Sequence, residues 1–174
     1  MYPVSLGYPE AVKRVRTLLK NGHDAEAMLT SVFTLEKTLY RTLRQLVVSA
    51  GFPSVQADHL MAKFRGIENI KQIWACFDPQ NEGLQSFLPK ATLLAITAAQ
   101  TKRNSLVHGK AVFKLADCRQ ATEEVLQALE EVRTLMDERY GFDGWSKMTR
   151  RIKNKLHADP RVKTYHTLNM NTAR

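Results

Sequence analysis

The chain has no apolar run near the roughly 18 residues needed to cross a bilayer. Its longest such stretch, residues 93–99, is too short and reads as part of a core helix. Cysteine is scarce. Cys76 and Cys118 both fall in apolar helical contexts and are expected as buried thiols of a reducing cytoplasm rather than as a disulfide. No Cys/His set has zinc spacing, and His23, His59, His157 and His166 are scattered, as surface or packing residues would be. There is no glycine-rich phosphate loop. The acidic pairs Glu123-Glu124 and Glu130-Glu131 read as a solvated helix face, not as a magnesium site. Neither a metal nor a cofactor is therefore expected. Residues 1–7 lack a charged region followed by an apolar block, so no signal peptide is expected and the location is read as cytoplasmic.

Acidic residues are missing from one place in particular. Residues 145–174 hold 8 Lys+Arg against the lone Asp159, whereas residues 1–144 hold 18 against 16. The tail thus supplies +7 of the net +9. Such asymmetry points to a polyanionic partner, most often nucleic acid. An anionic membrane or plain solubility are the other readings, and RNA is preferred.

What is present is helical. Of the six prolines and eight glycines, none interrupts a periodic run, as expected when helices exclude both. The segments read as 9–20, 24–50, 54–65, 67–77, 87–108, 117–140 and 145–156. Met28, Val32, Leu35, Leu39, Leu43 and Leu46 keep helical spacing over five turns. Cys118, Ala121, Val125, Leu129, Val132 and Met136 do the same, and both stripes are read as core. Asp24 and Asp117 are placed as N-caps. The fold class is all-α: an antiparallel helical bundle over 1–144, with a shorter insert at 54–77, followed by a basic amphipathic helix and an extended arm over 145–174. In that extension Trp145, Met148, Ile152 and Leu156 form the apolar stripe. Lys147, Arg150, Arg151, Lys153 and Lys155 surround it and are expected to meet an RNA backbone.

Chemistry concentrates in one run, Arg103-Asn104-Ser105-Leu106-Val107-His108-Gly109. Leu93, Ile96 and Ala99 set the buried face of their segment, and Arg103 follows in line with them. A charge there is costly unless it is paired or looks into a cleft, although an arginine can also snorkel from the edge of such a stripe. Asn104 and His108 are four apart and share one face. Arg103 and His108 are roughly 140° apart around an ideal helix, so they converge only near its end. Gly109 suits the left-handed position that ends a helix. His108 then lies at the negative end of the helix dipole, a place that suits a cationic ring and a proton donor. Together these are the parts needed to handle a phosphodiester: a cation for the phosphate oxygens, an imidazole to move a proton, and an amide to fix either one. Lys102, Lys110 and Lys114 are added as neighbouring RNA contacts.

This run resembles the motif of the HEPN superfamily: an arginine followed directly by a polar residue, a histidine separated from the arginine by four to six residues, and often a glycine after it. The match is Arg103, Asn104, His108 and Gly109. A second Arg/His spacing, Arg161 to His166, has Val162 and Thr167 at the flanking positions and is read as coincidence. Requiring the asparagine and the glycine lowers the chance expectation to on the order of 0.001. The resemblance covers 1–144 in size and helix content. It implies a metal-independent endoribonuclease of the kind found in toxin–antitoxin, CRISPR-linked and other anti-phage systems, with an antitoxin or regulatory protein as a further partner. One HEPN toxin subfamily has a tyrosine two residues after the histidine, and this chain has Lys110 there.

The expected function is therefore RNA cleavage by attack of the RNA's own 2′-OH, leaving a 2′,3′-cyclic phosphate and a 5′-OH. Arg103 would stabilise phosphoryl charge and His108 would protonate the leaving oxygen. Asn104 would orient one of them or contact the phosphate. One chain offers a single well-placed imidazole, so a homodimer pairing two Arg103/His108 helix ends is expected. The alternatives are a non-catalytic HEPN module that binds RNA or a nucleotide, and a helical DNA-binding protein.

Overall fold

The computed structural model describes residues 7–146, and these are helical with no strand among them. The helices among the described residues are α1 (Tyr8–Lys20), α2 (Asp24–Ser49), α3 (Ser54–Met61), α4 (Ile67–Phe77), α5 (Leu84–Phe87), α6 (Lys90–Val107) and α7 (Leu115–Tyr140). The all-α class is as expected. Both long stripes are core: Met28, Val32, Leu35, Leu39, Leu43 and Leu46 of α2 are at most 1% exposed, and the six α7 positions at most 2%.

Three helices end in the same way. Asn21-Gly22-His23, Ala50-Gly51-Phe52 and His108-Gly109-Lys110 each place glycine at positive φ. In each, the glycine N–H bonds back to the carbonyl three residues earlier, and the next N–H reaches the carbonyl five residues earlier. This double bond pattern satisfies carbonyls that the helix end would otherwise orphan.

Several boundaries differ from expectation, for local reasons. The segment expected over 87–108 is broken at Leu88-Pro89. A residue before proline is driven out of the helical region, and Leu88 is extended at ψ 137. Helix α6 therefore starts at Lys90, and Leu84–Phe87 is a separate turn of helix. Helix α3 ends at Met61 instead of running to residue 65. Asp24 and Asp117 lie within the first turns of α2 and α7 and are not N-caps. They still suit the positive end of the helix dipole. Cys76 is exposed, contrary to expectation, because Ile67, Ile70 and Trp74 set the buried stripe of α4 and Cys76 lies off it. Cys118 is buried as expected, burial pushes its thiol up, and neither cysteine is in a disulfide.

The chain forms two compact units. The described part of the first comprises residues 7–37 with Pro89–Val132. Its core includes Val15 and Leu19 of α1 with Ala27 and Leu126, and Met28 with Cys118 and Ala121. Arg119 ties the α1–α2 corner to α7, donating to the Leu19 carbonyl at 2.6 Å and pairing with Asp24 at 3.0 Å. Near the start of α6, the Thr92 hydroxyl donates to Glu131 of α7.

The described part of the second unit comprises Thr38–Leu88 with residues 133–146. Its centre is aromatic and polar at once. Trp74, Phe87 and Tyr140 pack with ring centroids 6.1–6.4 Å apart. The Trp74 Nε1–H donates to the Tyr140 hydroxyl, which donates to Asp78 at 2.6 Å. Arg139 adds two bonds to Asp78 and one to Glu82, and the backbone N–H groups of Gln80 and Glu82 complete the set. Burial pushes the Asp78 carboxyl up, but these donors outweigh it and hold it below the usual carboxylate range. Every strong acceptor direction of a buried carboxylate is thus filled, which is what makes its burial tolerable.

Candidate functional site

The motif occupies the last turn of α6 and the reversal that follows it, within the first unit. Two apolar anchors set its position. Leu106, just before the reversal, and Phe113, just after it, both pack on the Met28/Cys118/Ala121 cluster. Between them the glycine reversal turns the chain. Gly109 stands at φ +62 with nothing within 4 Å of where a Cβ would be, so the position requires glycine for its backbone and not for space.

Thr92, Ile96 and Ala99 are the buried residues of α6, and Arg103 is the next position on that face. Leu93, expected on the same face, is half-buried. Arg103 is half-buried too, and it has no carboxylate partner among the described residues. Its Nη1 donates to Asn104 Oδ1 at 2.9 Å. The amide therefore steadies the guanidinium, one of the roles expected of it, and the remaining N–H donors stay open to an anion. His108 is the C-terminal residue of the helix end and is exposed, with its backbone N–H bonded to the Asn104 carbonyl at 3.0 Å. Arg103 and Asn104 are brought together, whereas no hydrogen bond joins the His108 ring to either.

The cations next to the motif in sequence differ in exposure. Lys110 and Lys114 are exposed on the segment after the reversal, and Lys102 is half-buried on α6. Lys102 is close enough to Cys118 for its charge to oppose the effect of burial on that thiol. Lys147, Arg150, Arg151, Lys153 and Lys155, along with Met148, Ile152, Leu156 and the Arg161/His166 spacing, lie outside the described residues.

Comparison of the chain with protein-family models, with curated proteins and with solved structures gives no match. The resemblance to HEPN proteins rests on the run from Arg103 to Gly109 and on helical architecture.

Two features beside the motif escaped sequence reasoning. Val107, Val112 and Leu115 are exposed at 53%, 98% and 58%, so the reversal is flanked by apolar side chains facing outward. Their signal was weak, because residues 110–114 follow no helical period. The other feature is a cavity of about 530 Å³ in the first unit, lined by Tyr8, Val12 and Arg16 of α1 and by Gln120, Glu123 and Glu130 among others of α7. None of the motif residues lines it, and its acidic wall does not suit RNA. The expected solvated acidic face is present: Glu123, Glu124, Glu130 and Glu131 are all exposed. Among the described residues no three His, Cys, Asp or Glu side chains converge as metal ligands would. No helix among them is long and apolar enough to cross a membrane.

Proposed function

We propose that this chain is a HEPN-type endoribonuclease that cleaves RNA without a metal ion. The observation that carries the reading is the pairing of Arg103 with Asn104 in the last turns of a helix that ends on an exposed histidine, His108. In the reaction the 2′-oxygen of one nucleotide attacks the adjacent phosphorus, the bond from phosphorus to the 5′-oxygen breaks, and a 2′,3′-cyclic phosphate forms. The 2′ proton leaves to water or to a second imidazole. His108 delivers a proton to the departing 5′-oxygen, and Arg103 stabilises the charge that builds on the phosphoryl oxygens. Lys102, Lys110 and Lys114 hold the flanking phosphates. Toxin or anti-phage defence is the biological setting that the family resemblance suggests.

A homodimer belongs to the same proposal. Two copies of the helix end, related by a two-fold axis, bring two imidazoles and two guanidinium groups to one phosphate. The exposed Val107, Val112 and Leu115 beside the motif give such a pairing an apolar contact to close over. Mixing Arg103→Ala with His108→Ala chains tests it, once sedimentation has given the oligomeric state. A fully active monomer would refute the composite site.

The test of the reaction is an RNA oligonucleotide with a single 2′-deoxy nucleotide placed at its mapped cleavage site. Cleavage there should stop while other sites continue. Cutting at the deoxy position would show that the 2′-oxygen is not the nucleophile.

A further inference from the structure

Among the described residues of the second unit, four arginines are half-buried: Arg41, Arg44, Arg133 and Arg139. Three are neutralised: Arg44 by Asp58, Arg133 by Asp143, and Arg139 by Asp78 and Glu82. Arg41 is the exception. Its guanidinium carbon lies 5.0 Å from the ring centroid of Trp145, and none of its N–H groups has an acceptor among the described residues. Stacking on an indole steadies a guanidinium through its face and leaves the N–H edge open.

The platform beneath it is held from several directions. Trp145 Nε1–H donates to Thr38 Oγ1 at 2.7 Å. Asp143 Oδ1 accepts the backbone N–H groups of Trp145 and Ser146 at 2.8 and 2.7 Å, while Arg133 binds its other oxygen. Gly144, at φ +84, lies so close to α2 that a Cβ would stand 2.9 Å from the Thr38 carbonyl oxygen. All this fixes a ring that is itself only half-buried. What the ring carries is a pre-oriented cation, so ordering the side chain costs little further entropy when an anion arrives.

We propose that Arg41 on the Trp145 ring is a phosphate-binding position for RNA, distinct from the cleavage motif. It rests on the RNA reading above and extends it to the second unit. The anion is a backbone phosphate of a polyanion, because the five cations between residues 147 and 155 follow directly in sequence from Ser146. A single small anion would have no use for them.

The test uses the full chain carrying His108→Ala and a 2′-O-methyl RNA of about 20 nucleotides, which cannot be cut through a 2′-OH. Affinity is measured against salt concentration, with tryptophan emission as a second signal. Trp74 is buried, so emission changes on binding should vanish in Trp145→Phe. Arg41→Gln should weaken binding about tenfold at ~0.1 M salt and lower the salt slope by about one. Arg41→Lys, which keeps the charge without the planar fork, should restore the slope but not the full affinity. Unchanged affinity and slope in Arg41→Gln would overturn the proposal, even if the wild-type chain cuts RNA. Arg41-dependent binding to phosphatidylserine vesicles with none to RNA would also overturn it. Arg41-dependent RNA binding by a chain that never cleaves would sustain this proposal and remove the nuclease reading instead.

Discussion

Gly109 and Gly144 both sit at positive φ, yet replacing them with alanine should have different consequences. At Gly109 a Cβ would meet nothing within 4 Å. The whole cost is that of placing an L-residue in the left-handed region, about 1 kcal/mol. At Gly144 the same backbone cost is joined by contact with the Thr38 carbonyl oxygen at 2.9 Å and Thr42 Oγ1 at 3.0 Å. Backbone cannot swing aside as a flexible side chain can, so overpacking adds about 1–3 kcal/mol. The expected totals are about 1 kcal/mol for Gly109→Ala and about 2–4 kcal/mol for Gly144→Ala. Urea unfolding, read as midpoint times slope, measures both. In a chain of this size the first corresponds to a fall in Tm of about 2–4 °C. Gly22→Ala, at φ +78 with open space around it, serves as a control and should match Gly109→Ala. If Gly109→Ala cost as much as Gly144→Ala, contact with the Thr38 carbonyl would add nothing to the backbone cost at Gly144, contrary to expectation.

Tyr140→Phe removes the acceptor of the buried Trp74 Nε1–H and one donor to Asp78. It should cost about 1–3 kcal/mol in the same urea assay, and a loss below ~0.5 kcal/mol would mean that the network is not satisfied as described. Acid should weaken the fold in a defined window. Burial pushes Asp143 up, but the bonds from Arg133 and from the Ser146 and Trp145 N–H groups hold it down to about 2. Its folded-state value lies below the unfolded one near ~3.9, so its contribution is present above that value and is lost as pH falls towards about 2. The urea midpoint should therefore drop between about pH 4 and 2 and drop less in Asp143→Asn; a flat profile in both would contradict this. Deleting residues 147–174 should weaken RNA binding and flatten its salt dependence; an unchanged slope would show that the tail's charge does not meet RNA. The cut belongs after Ser146, because Trp145 is hydrogen-bonded to Thr38 and carries Arg41.

The long leucine and valine stripes of α2 and α7 were legible because each records the same solvent boundary every three or four residues. Glycines 22, 51 and 109 marked helix ends for an equally local reason, since only glycine takes the left-handed turn without strain. Less visible was the break at Leu88-Pro89, where an apolar pattern continues but the proline restricts the residue before it. In the candidate site, Arg103, Asn104 and Gly109 could be read because their relations lie within two helical turns. Asp78 with Arg139, and Trp145 with Thr38, could not. Those partners are 61 and 107 residues apart, and no local pattern announces which charge or ring will meet which. Val112 was missed for another reason: an exposed apolar residue between helices has no period to betray it.

The central claim is that Arg103 and His108 cut RNA by proton transfer and charge stabilisation alone. Its most direct test is incubation of total RNA with the full chain in EDTA, wild type beside His108→Ala, followed by analysis of the fragment ends. The account predicts fragments with 2′,3′-cyclic phosphate and 5′-OH ends from the wild type. His108→Ala should be slower by about 10²–10⁴-fold. Cleavage abolished by EDTA and restored by magnesium, or a His108→Ala chain that cuts as fast as the wild type, would contradict it.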